Sequence, residues 1–314
     1  MDGDLLREAG RILLGQAVAD GFLTGAILAL GALGASLSLQ ILRFANFSHA
    51  ELLTWGGYIA LTFTTFATVG TSIGPLSFGW QLLLAVLIAG TATGMVALAV
   101  DRLVFRQLRA RHAHNLTMVF ASFGVALILR NVVLLLWGPD AHYYSDELQI
   151  AIEVLPGIRL LPDQVFVLVL TLVLVLALHL VLRFSRLGMA MRAMAESPGL
   201  ARVCGIETEK AIRWTWIVSG MLAAAGGVFL GLTVQLRPEM GFNLLLAIFT
   251  AAILGGTGSL FGAVIGGLAV GLAENLSLLI IPSGYKAAVP FVLLMLVLYF
   301  RPQGLFGSAD NAAT

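Results

Sequence analysis

Long apolar runs separated by short polar connections make up nearly the whole chain. Windows of about 19 residues, the length that crosses a bilayer, predict spans near 17–41, 48–68, 81–105, 116–137, 164–183, 213–236 and 286–300. A further apolar region, 244–281, has 38 residues. As one helix it would measure roughly 57 Å, about twice the hydrocarbon thickness. It must break or turn, and GGTGSLFG (255–262) is the obvious place. The pattern predicts about eight spans, or nine if both halves of this region cross.

Composition supports the same class. Hydrophobic residues make up 59% of the chain, charged residues 11%, and the mean hydropathy is +0.96. A soluble domain is typically about 25% charged. The runs are too long, and too free of alternation, for barrel strands. We therefore predict an all-α, polytopic transmembrane bundle in which residues 1–314 form one domain. A single cysteine excludes an intrachain disulfide, and no metal site is expected.

The distribution of charge predicts the sidedness of the spans. Residues 101–115 carry four Arg, and residues 183–213 carry six Lys or Arg. Residues 138–163 between them carry five acids and one Arg. The positive-inside rule places the two basic connections in the cytoplasm and the acidic one outside. Counting back puts Arg43 inside and the N-terminus outside, while the side of the C-terminus stays open. The first residues are acidic and lack a cleavage pattern, so no cleavable signal sequence is expected.

The cytoplasmic connection 183–213 has local helix punctuation. Ser197 suits an N-cap, Pro198 the first helical position, and Gly205 the residue after the end, which frames a two-turn helix PGLARVC. Leu187, Met191 and Met194 recur at helical spacing upstream. An ordinary solvated basic connector is the plain alternative. A short capped helix at the cytoplasmic face is what a membrane subunit needs in order to receive force from a soluble partner.

Polar residues concentrate in FANFSHAEL (44–52), between two apolar runs. Its four polar side chains are Asn46, Ser48, His49 and Glu51. One interpretation is structural: a turn between the first two spans dips into the protein and these side chains satisfy irregular backbone. The others are a substrate contact or a His–Glu proton relay, since His titrates near neutral pH. The spacing is not that of a zinc-protease helix.

The glycine-rich run LGGTGSLFGAVIGGLAVGLAENL (254–276) also has two interpretations. Small residues four apart predict close helix packing. Alternatively, a discontinuous helix lines a translocation pathway and offers unpaired backbone groups to a zwitterion. The candidate pathway residues in this run are Gly255, Gly256, Thr257, Gly258, Ser259, Gly262 and Glu274. Intramembrane acids such as Glu274 are functional suspects by default.

Several of these stretches resemble one known family. SRLGMAMRAMAESPGLARVCGI (185–206), LRFANFSHAEL (42–52), FTAAILGGTGSLFGAVIGGLAVGLAENL (249–276) and RPQGLFG (301–307) are similar to segments of branched-chain amino acid ABC importer permeases. The similarity runs along nearly the whole chain and is greater to the first permease of the pair. It implies a multi-pass subunit of the bacterial inner membrane that forms half of a pathway for branched-chain or other small amino acids. Relatives that carry urea, amides or small organic acids keep those substrates open.

The resemblance also implies partners. They are a second homologous permease, giving a heterodimer, two ABC ATPase subunits, a soluble binding protein outside and membrane lipid, but no nucleic acid. ATP and Mg²⁺ would bind the ATPases, because this chain has no phosphate-binding loop motif and needs no cofactor of its own. The expected ATPase-coupling residues are Arg192, Ala195, Glu196, Ser197, Pro198, Gly205 and Ile206. The rival class, an autonomous ion-coupled carrier, has no evident use for this cytoplasmic segment. An intramembrane enzyme lacks a nucleophile–base pair.

Overall fold

The computed structural model describes residues 2–66, 74–145, 149–155, 157–256 and 258–307, without the side chains of residues 2–9 and 155. The helices are α1 Asp2–Leu42, α2 Ser48–Phe66, α3 Trp80–Val100, α4 Arg106–Ala110, α5 Asn115–Trp137, α6 Pro162–Phe184, α7 Arg186–Glu196, α8 Pro198–Val203, α9 Thr208–Thr233, α10 Met240–Gly255, α11 Leu260–Ser277 and α12 Ala288–Phe300. A π-helical turn, Asp101–Phe105, joins α3 to α4 without a break. The predicted all-α bundle is confirmed.

Six helices within the described residues are long and apolar enough to cross a membrane: α1, α3 continued through α4, α5, α6, α9 and α11. Helix α2 and the shorter apolar helices α10 and α12 pack alongside them. Element bounds differ from the predicted spans mainly at polar extensions. α1 begins at Asp2 rather than at residue 17, and α9 begins at Thr208 rather than at residue 213. The hydropathy window misses such ends because a helix continues into water wherever its backbone stays regular.

The region 244–281 breaks where the glycines predict. α10 ends at Gly255 and α11 begins at Leu260, and the two helices pack against each other. α11 runs antiparallel to α1, because Gly271 lies against Gly25 and Gly267 lies against Ala29. The start of α11 therefore lies toward the end of α1, which the charge distribution predicts to be cytoplasmic; we call this the cytoplasmic end and the opposite one the outer end. Segment 301–307 lies at the same end as the start of α11.

Close helix contacts explain much of the glycine content. A Cβ on Gly271 would lie 2.3 Å from the backbone nitrogen of Gly25, so the α1–α11 crossing has no room for a side chain. In lipid, where burial of apolar surface gives no extra attraction between helices, such close backbone approach contributes van der Waals packing energy. α1 and α9 are mostly buried within the bundle, whereas α5 and α6 are largely exposed at its periphery.

The terminal segment 301–307 closes the α10–α11 turn. The amide of Leu305 donates to the carbonyl of Leu254 (2.8 Å), and the amide of Phe306 donates to the carbonyl of Gly255 (3.2 Å). These bonds satisfy carbonyl groups that the end of α10 leaves without helical partners. Gly256 (φ +101°) and Gly304 (φ +77°) touch at the centre of the contact. The turn is thus a capped structural joint.

The acidic outer connection carries a two-stranded antiparallel hairpin, β1 Ile152–Leu155 and β2 Ile158–Leu160, that the hydropathy pattern does not predict. Gln16 of α1 bonds both the amide and the carbonyl of Arg159. Asp163, in the first turn of α6, accepts hydrogen bonds from Ser77 and from the Gln149 amide. A carboxylate there also complements the helix dipole. These bonds join α1 to the hairpin, and they join α6 to the segments that precede α3 and β1.

Candidate functional site

The segment between α1 and α2 re-enters the bundle. α1 ends at Leu42, yet His49 in the first turn of α2 contacts Gly31 and Gly34, eight to eleven residues before that end. At 1.5 Å per residue, α2 starts roughly 12–16 Å inside the cytoplasmic end of α1. The predicted inward turn is confirmed. It is the reason that polar side chains occur here, because an irregular backbone at this depth needs partners.

His49 cross-links three helices. Its Nε2 lies 3.0 Å from the carbonyl oxygen of Gly31, and its Nδ1 lies 3.1 Å from the Ser219 hydroxyl of α9. Because a carbonyl can only accept, Nε2 is the protonated nitrogen. Ser219 also lies 3.0 Å from the Gly34 carbonyl and 3.1 Å from Ser38. Both ring nitrogens are thus used in holding α1, α2 and α9 together.

Asn46 and Ser48 organise the start of α2. The side-chain oxygen of Asn46 accepts from the backbone amide (3.2 Å) and the hydroxyl (2.6 Å) of Ser48. This bond satisfies one of the first amides of the helix. The side-chain nitrogen of Asn46 is buried and has no hydrogen-bond partner. It is one of two buried side-chain atoms without a partner in this segment.

Glu51 is the other. Two residues along a helix turn a side chain to the opposite face, so Glu51 points toward α5 and α10 while His49 points toward α1 and α9. The two residues share no hydrogen bond, although both lie in the described part of the chain. The structure does not bring them together as a His–Glu couple.

The glycine-rich candidates lie at the α10–α11 turn. A Cβ on Gly255 would lie 2.1 Å from the carbonyl oxygen of Gly262, so these two residues form the helix crossing. Gly256 and Gly258 have positive φ, and the Ser259 hydroxyl caps α11 by accepting from the Gly262 amide (3.0 Å). Thr257 lies outside the described residues. This arrangement agrees with the packing interpretation on the faces of α10 and α11.

Glu274 lies far from that turn, near the outer end of α11. It is buried, and its carboxylate is 4.0 Å from the ammonium of Lys286. Asn275 beside it donates to Thr24 of α1 (3.0 Å) and accepts from Lys286 (3.3 Å). The pair thus joins α1, α11 and the segment before α12. Glu274 and the candidates in 255–262 are at opposite ends of one helix.

The predicted coupling elements form two cytoplasmic helices. Ser197 ends α7 and caps α8, where its hydroxyl accepts from the Leu200 amide (3.4 Å), and Gly205 has φ +81° after the end. The predicted helix is confirmed as Pro198–Val203. α7 buries Met191 and Met194 against the bundle. The other predicted contact residues, Arg192, Ala195, Glu196, Pro198 and Ile206, are exposed or half-buried along this segment.

Sequence reasoning missed two features at the cytoplasmic end. Leu200 and Val203 on α8 are 68% and 85% exposed, although both are apolar. Their spacing of three residues on a short helix was the available signal. Asp101, fully buried, pairs with Arg109 (2.7 Å), which also approaches Glu209 at the start of α9 (3.7 Å). This ion-pair network joins the two basic connections, as expected if both are on the same side.

Comparison with known proteins agrees with this architecture. Residues 17–298 match a family model described as the permease component of the branched-chain amino acid transport system. The chain is 32% identical to the high-affinity branched-chain amino acid transport system permease protein BraD of Pseudomonas aeruginosa, over 94% of this chain and 96% of that protein. It is 31% identical to LivH of Escherichia coli, a permease protein of the same description, over 94% and 96%. A probable LivH of Methanocaldococcus jannaschii is 26% identical over 90% and 89%.

No solved structure matches the chain. The family model and these relatives together cover nearly all of the described helices. Proteins of this kind are the inner-membrane permease subunits of ABC importers, which work with separate ATPase subunits and a substrate-binding protein. The chain therefore belongs to the branched-chain amino acid transport system permease family, as an inner-membrane transport subunit and not an enzyme.

Proposed function

We propose that this chain pairs with a second, homologous permease and that the pair imports branched-chain or other apolar amino acids. Its relatives in Pseudomonas and Escherichia are branched-chain amino acid permeases, which supports this substrate class. Two ATPase subunits would bind ATP and Mg²⁺ on the cytoplasmic side, and a soluble protein would deliver the substrate outside. Import of urea, amides or small organic acids is the alternative within the same system.

The observation that carries the proposal is the surface of α8. Leu200 and Val203 are apolar, exposed and located on a capped helix beside the basic connections. A solvated connector has no reason to present them, whereas a groove on a soluble ATPase would cover them on docking. In this proposal residues 183–213 are the coupling part of a single 1–314 unit. Its contact core is formed by Glu196, Ser197, Gly205 and Ile206, and Arg192, Ala195 and Pro198 border it.

A physical connection runs from this surface into the bundle. The Arg43 guanidinium donates to the carbonyl of Glu196 at the end of α7 (3.4 Å). Arg43 begins the re-entrant segment, which leads directly to Asn46, Ser48, His49 and Glu51. Movement of α7 and α8 would therefore shift the start of α2. The candidate pathway residues of this segment would therefore move together with the start of α2.

The remaining pathway candidates would have different roles at the two ends of α11. The glycine-rich turn, with Gly255, Gly256, Thr257, Gly258, Ser259 and Gly262, would act as a rigid pivot at the cytoplasmic side. Glu274 would act at the outer side, where Lys286 and Asn275 surround it. In this scheme alternating access is a change in packing between helices rather than a change within them.

The test is reconstitution of the complex with Val203→Asp and with Glu196→Lys. Each change should reduce co-purification of the ATPase subunits by at least tenfold, because Val203→Asp puts a charge in an apolar contact and Glu196→Lys reverses a charge in the contact core. The matched control is Glu153→Lys on the outer hairpin, which should leave co-purification unchanged. Membrane insertion is checked by the amount of protein in the membrane fraction.

Nucleotide-dependent uptake of L-leucine into proteoliposomes is the second measurement. The wild-type complex and Glu153→Lys should transport, and Val203→Asp should not. If Val203→Asp transported at the wild-type rate with ATPases bound, α8 would not be the docking element.

A further inference from the structure

A small pocket opens between α2, α5 and α10, on the face of α2 opposite to His49. Its lining contains three phenylalanine rings, three aliphatic side chains and one carboxylate: Phe47, Glu51, Phe123, Ala126, Leu127, Phe242 and Leu245. The cavity measures about 10 Å³. That volume accommodates one water-sized group. The pocket is therefore suited to a single small polar head rather than to a whole ligand.

Glu51 is only 2% exposed, and its Oε2 has no hydrogen-bond partner. Buried polar atoms in proteins are nearly always bonded, and an exception calls for a missing partner. Within the described residues no basic group lies within ion-pair distance of Glu51. The nearby Arg130 guanidinium instead lies over the Phe242 ring, 5.3 Å from its centroid. Arg130 attracts the carboxylate from a distance, but no cation forms a direct ion pair with it at this buried position.

Ring–ring contacts connect part of the aromatic lining. Phe47 meets Phe123 edge-on at 6.4 Å between centroids and Phe249 at 5.4 Å. Ring faces attract ammonium and guanidinium groups within about 6 Å, and aromatic cages bind such cations in many proteins. Phe242 already accepts one cation on its ring. A carboxylate surrounded by such rings is suited to bind an ammonium group.

Apolar side chains surround the mouth of the pocket. Phe123, Leu127 and Phe242 are 42%, 42% and 41% exposed at its rim. A carboxylate facing hydrocarbon at this depth would be costly, so protein or a water path must cover the face. An apolar rim around one polar point matches an amino acid with an aliphatic side chain.

We propose that the Glu51 pocket receives the ammonium group of the transported amino acid, with its aliphatic side chain against Leu127, Leu245 and Phe242. This inference rests on the proposed import function. It makes this face of α2, α5 and α10 a border of the translocation pathway. A basic side chain of the second permease would have the same chemistry as the ligand, so the experiment must separate these two sources.

The test compares Glu51→Gln with wild type in the purified complex. Isopentylamine, which has an ammonium and a branched chain, and 4-methylpentanoate, which has the chain and a carboxylate, serve as probes of binding by thermal shift. We expect wild type to bind the amine and not the acid, and Glu51→Gln to bind the amine at least tenfold more weakly. Glu153→Gln, whose acceptor oxygen for the Gly157 amide is retained, is the matched control.

Uptake of L-leucine into proteoliposomes is measured on the same three proteins, with co-purification of the second permease. At least a tenfold loss of uptake in Glu51→Gln, with the complex intact, supports the pocket. Equal amine binding by wild type and Glu51→Gln overturns it. Dissociation of the permease pair in Glu51→Gln, with no amine binding by wild type, also overturns it and assigns the carboxylate to the partner. Wild type could bind the amine, and Glu51→Gln fail to bind it, while wild type does not import L-leucine. That result would support the pocket and show that the proposed import function is wrong.

Discussion

Replacement of Arg109 by Ala should destabilise the protein, because it leaves the Asp101 carboxylate buried without a cation. The Asp101 side chain is fully buried, and two bonds of 2.7 and 3.3 Å join it to the guanidinium. Breaking a buried ion pair by removing one partner costs about 3–5 kcal/mol. The Arg109 side chain is 19% exposed at the edge of the bundle, so the lower end, about 3 kcal/mol, applies.

The outer part of the same network provides the control. Glu209 is about half exposed and lies 3.7 Å from Arg109 and 3.8 Å from Arg106. Exposed pairs of this kind contribute under about 1 kcal/mol. Glu209→Gln should therefore have a small effect on the free energy of unfolding. The double variant Asp101→Asn with Arg109→Gln removes both charges together and should recover most of the loss.

The assay is unfolding of the detergent-solubilised protein by sodium dodecyl sulfate, followed by far-ultraviolet circular dichroism. Tryptophan fluorescence is a second readout, because Trp216, one of five tryptophans, stacks on Phe105 at 5.2 Å, within the π-helical turn that contains Asp101. A loss below about 1 kcal/mol in Arg109→Ala, or no recovery in the double variant, would refute the reasoning.

Three further predictions concern packing, capping and pH. Gly271→Ala should destabilise the bundle because its Cβ would meet the Gly25 backbone at 2.3 Å, whereas Gly124→Ala, in open space, should not; thermal unfolding compares them. Gly304→Ala should release the terminal segment, seen as faster hydrogen exchange at Leu305 and Phe306, because its Cβ would lie 2.4 Å from Gly256. Burial raises the pKa of Tyr144 well above 10 in the folded protein. The contribution of this side chain to the free energy of unfolding is therefore complete below pH 10 and is lost as pH rises toward the folded pKa. Tyr144→Phe should unfold with less dependence on pH in that alkaline range, and an unchanged profile would contradict the assignment.

The sequence predicts the helices, and it predicts on which side of the membrane their connections lie, because both follow from local quantities. Apolar run length identifies most spans, and the excess of Arg in two connections assigns the cytoplasmic end. The cap at Ser197 and the break near Gly256 are also readable, since Ser, Pro and Gly act through local backbone geometry. These features need no knowledge of distant contacts.

The partners of buried polar residues could not be predicted in the same way. His49 bonds Ser219, which is 170 residues away, and Leu254 bonds the amide of Leu305. No spacing rule links such positions, because tertiary packing brings them together. The opposite orientations of His49 and Glu51 do follow from helix geometry, but only once α2 is known to start before residue 49.

The inward start of α2 also restricts how the bundle can move. Its first turns are fastened to α1 and α9 through His49 and Ser219, to α5 through Ser122, and to α10 through Thr54, which accepts from the Gly241 amide. A helix tied on four sides at mid-depth cannot slide along its axis without breaking several of these bonds. We therefore expect α1, α2, α5, α9 and α10 to tilt together as one block. The largely exposed α6, which takes part in none of these four bonds, would then be the helix against which that block moves.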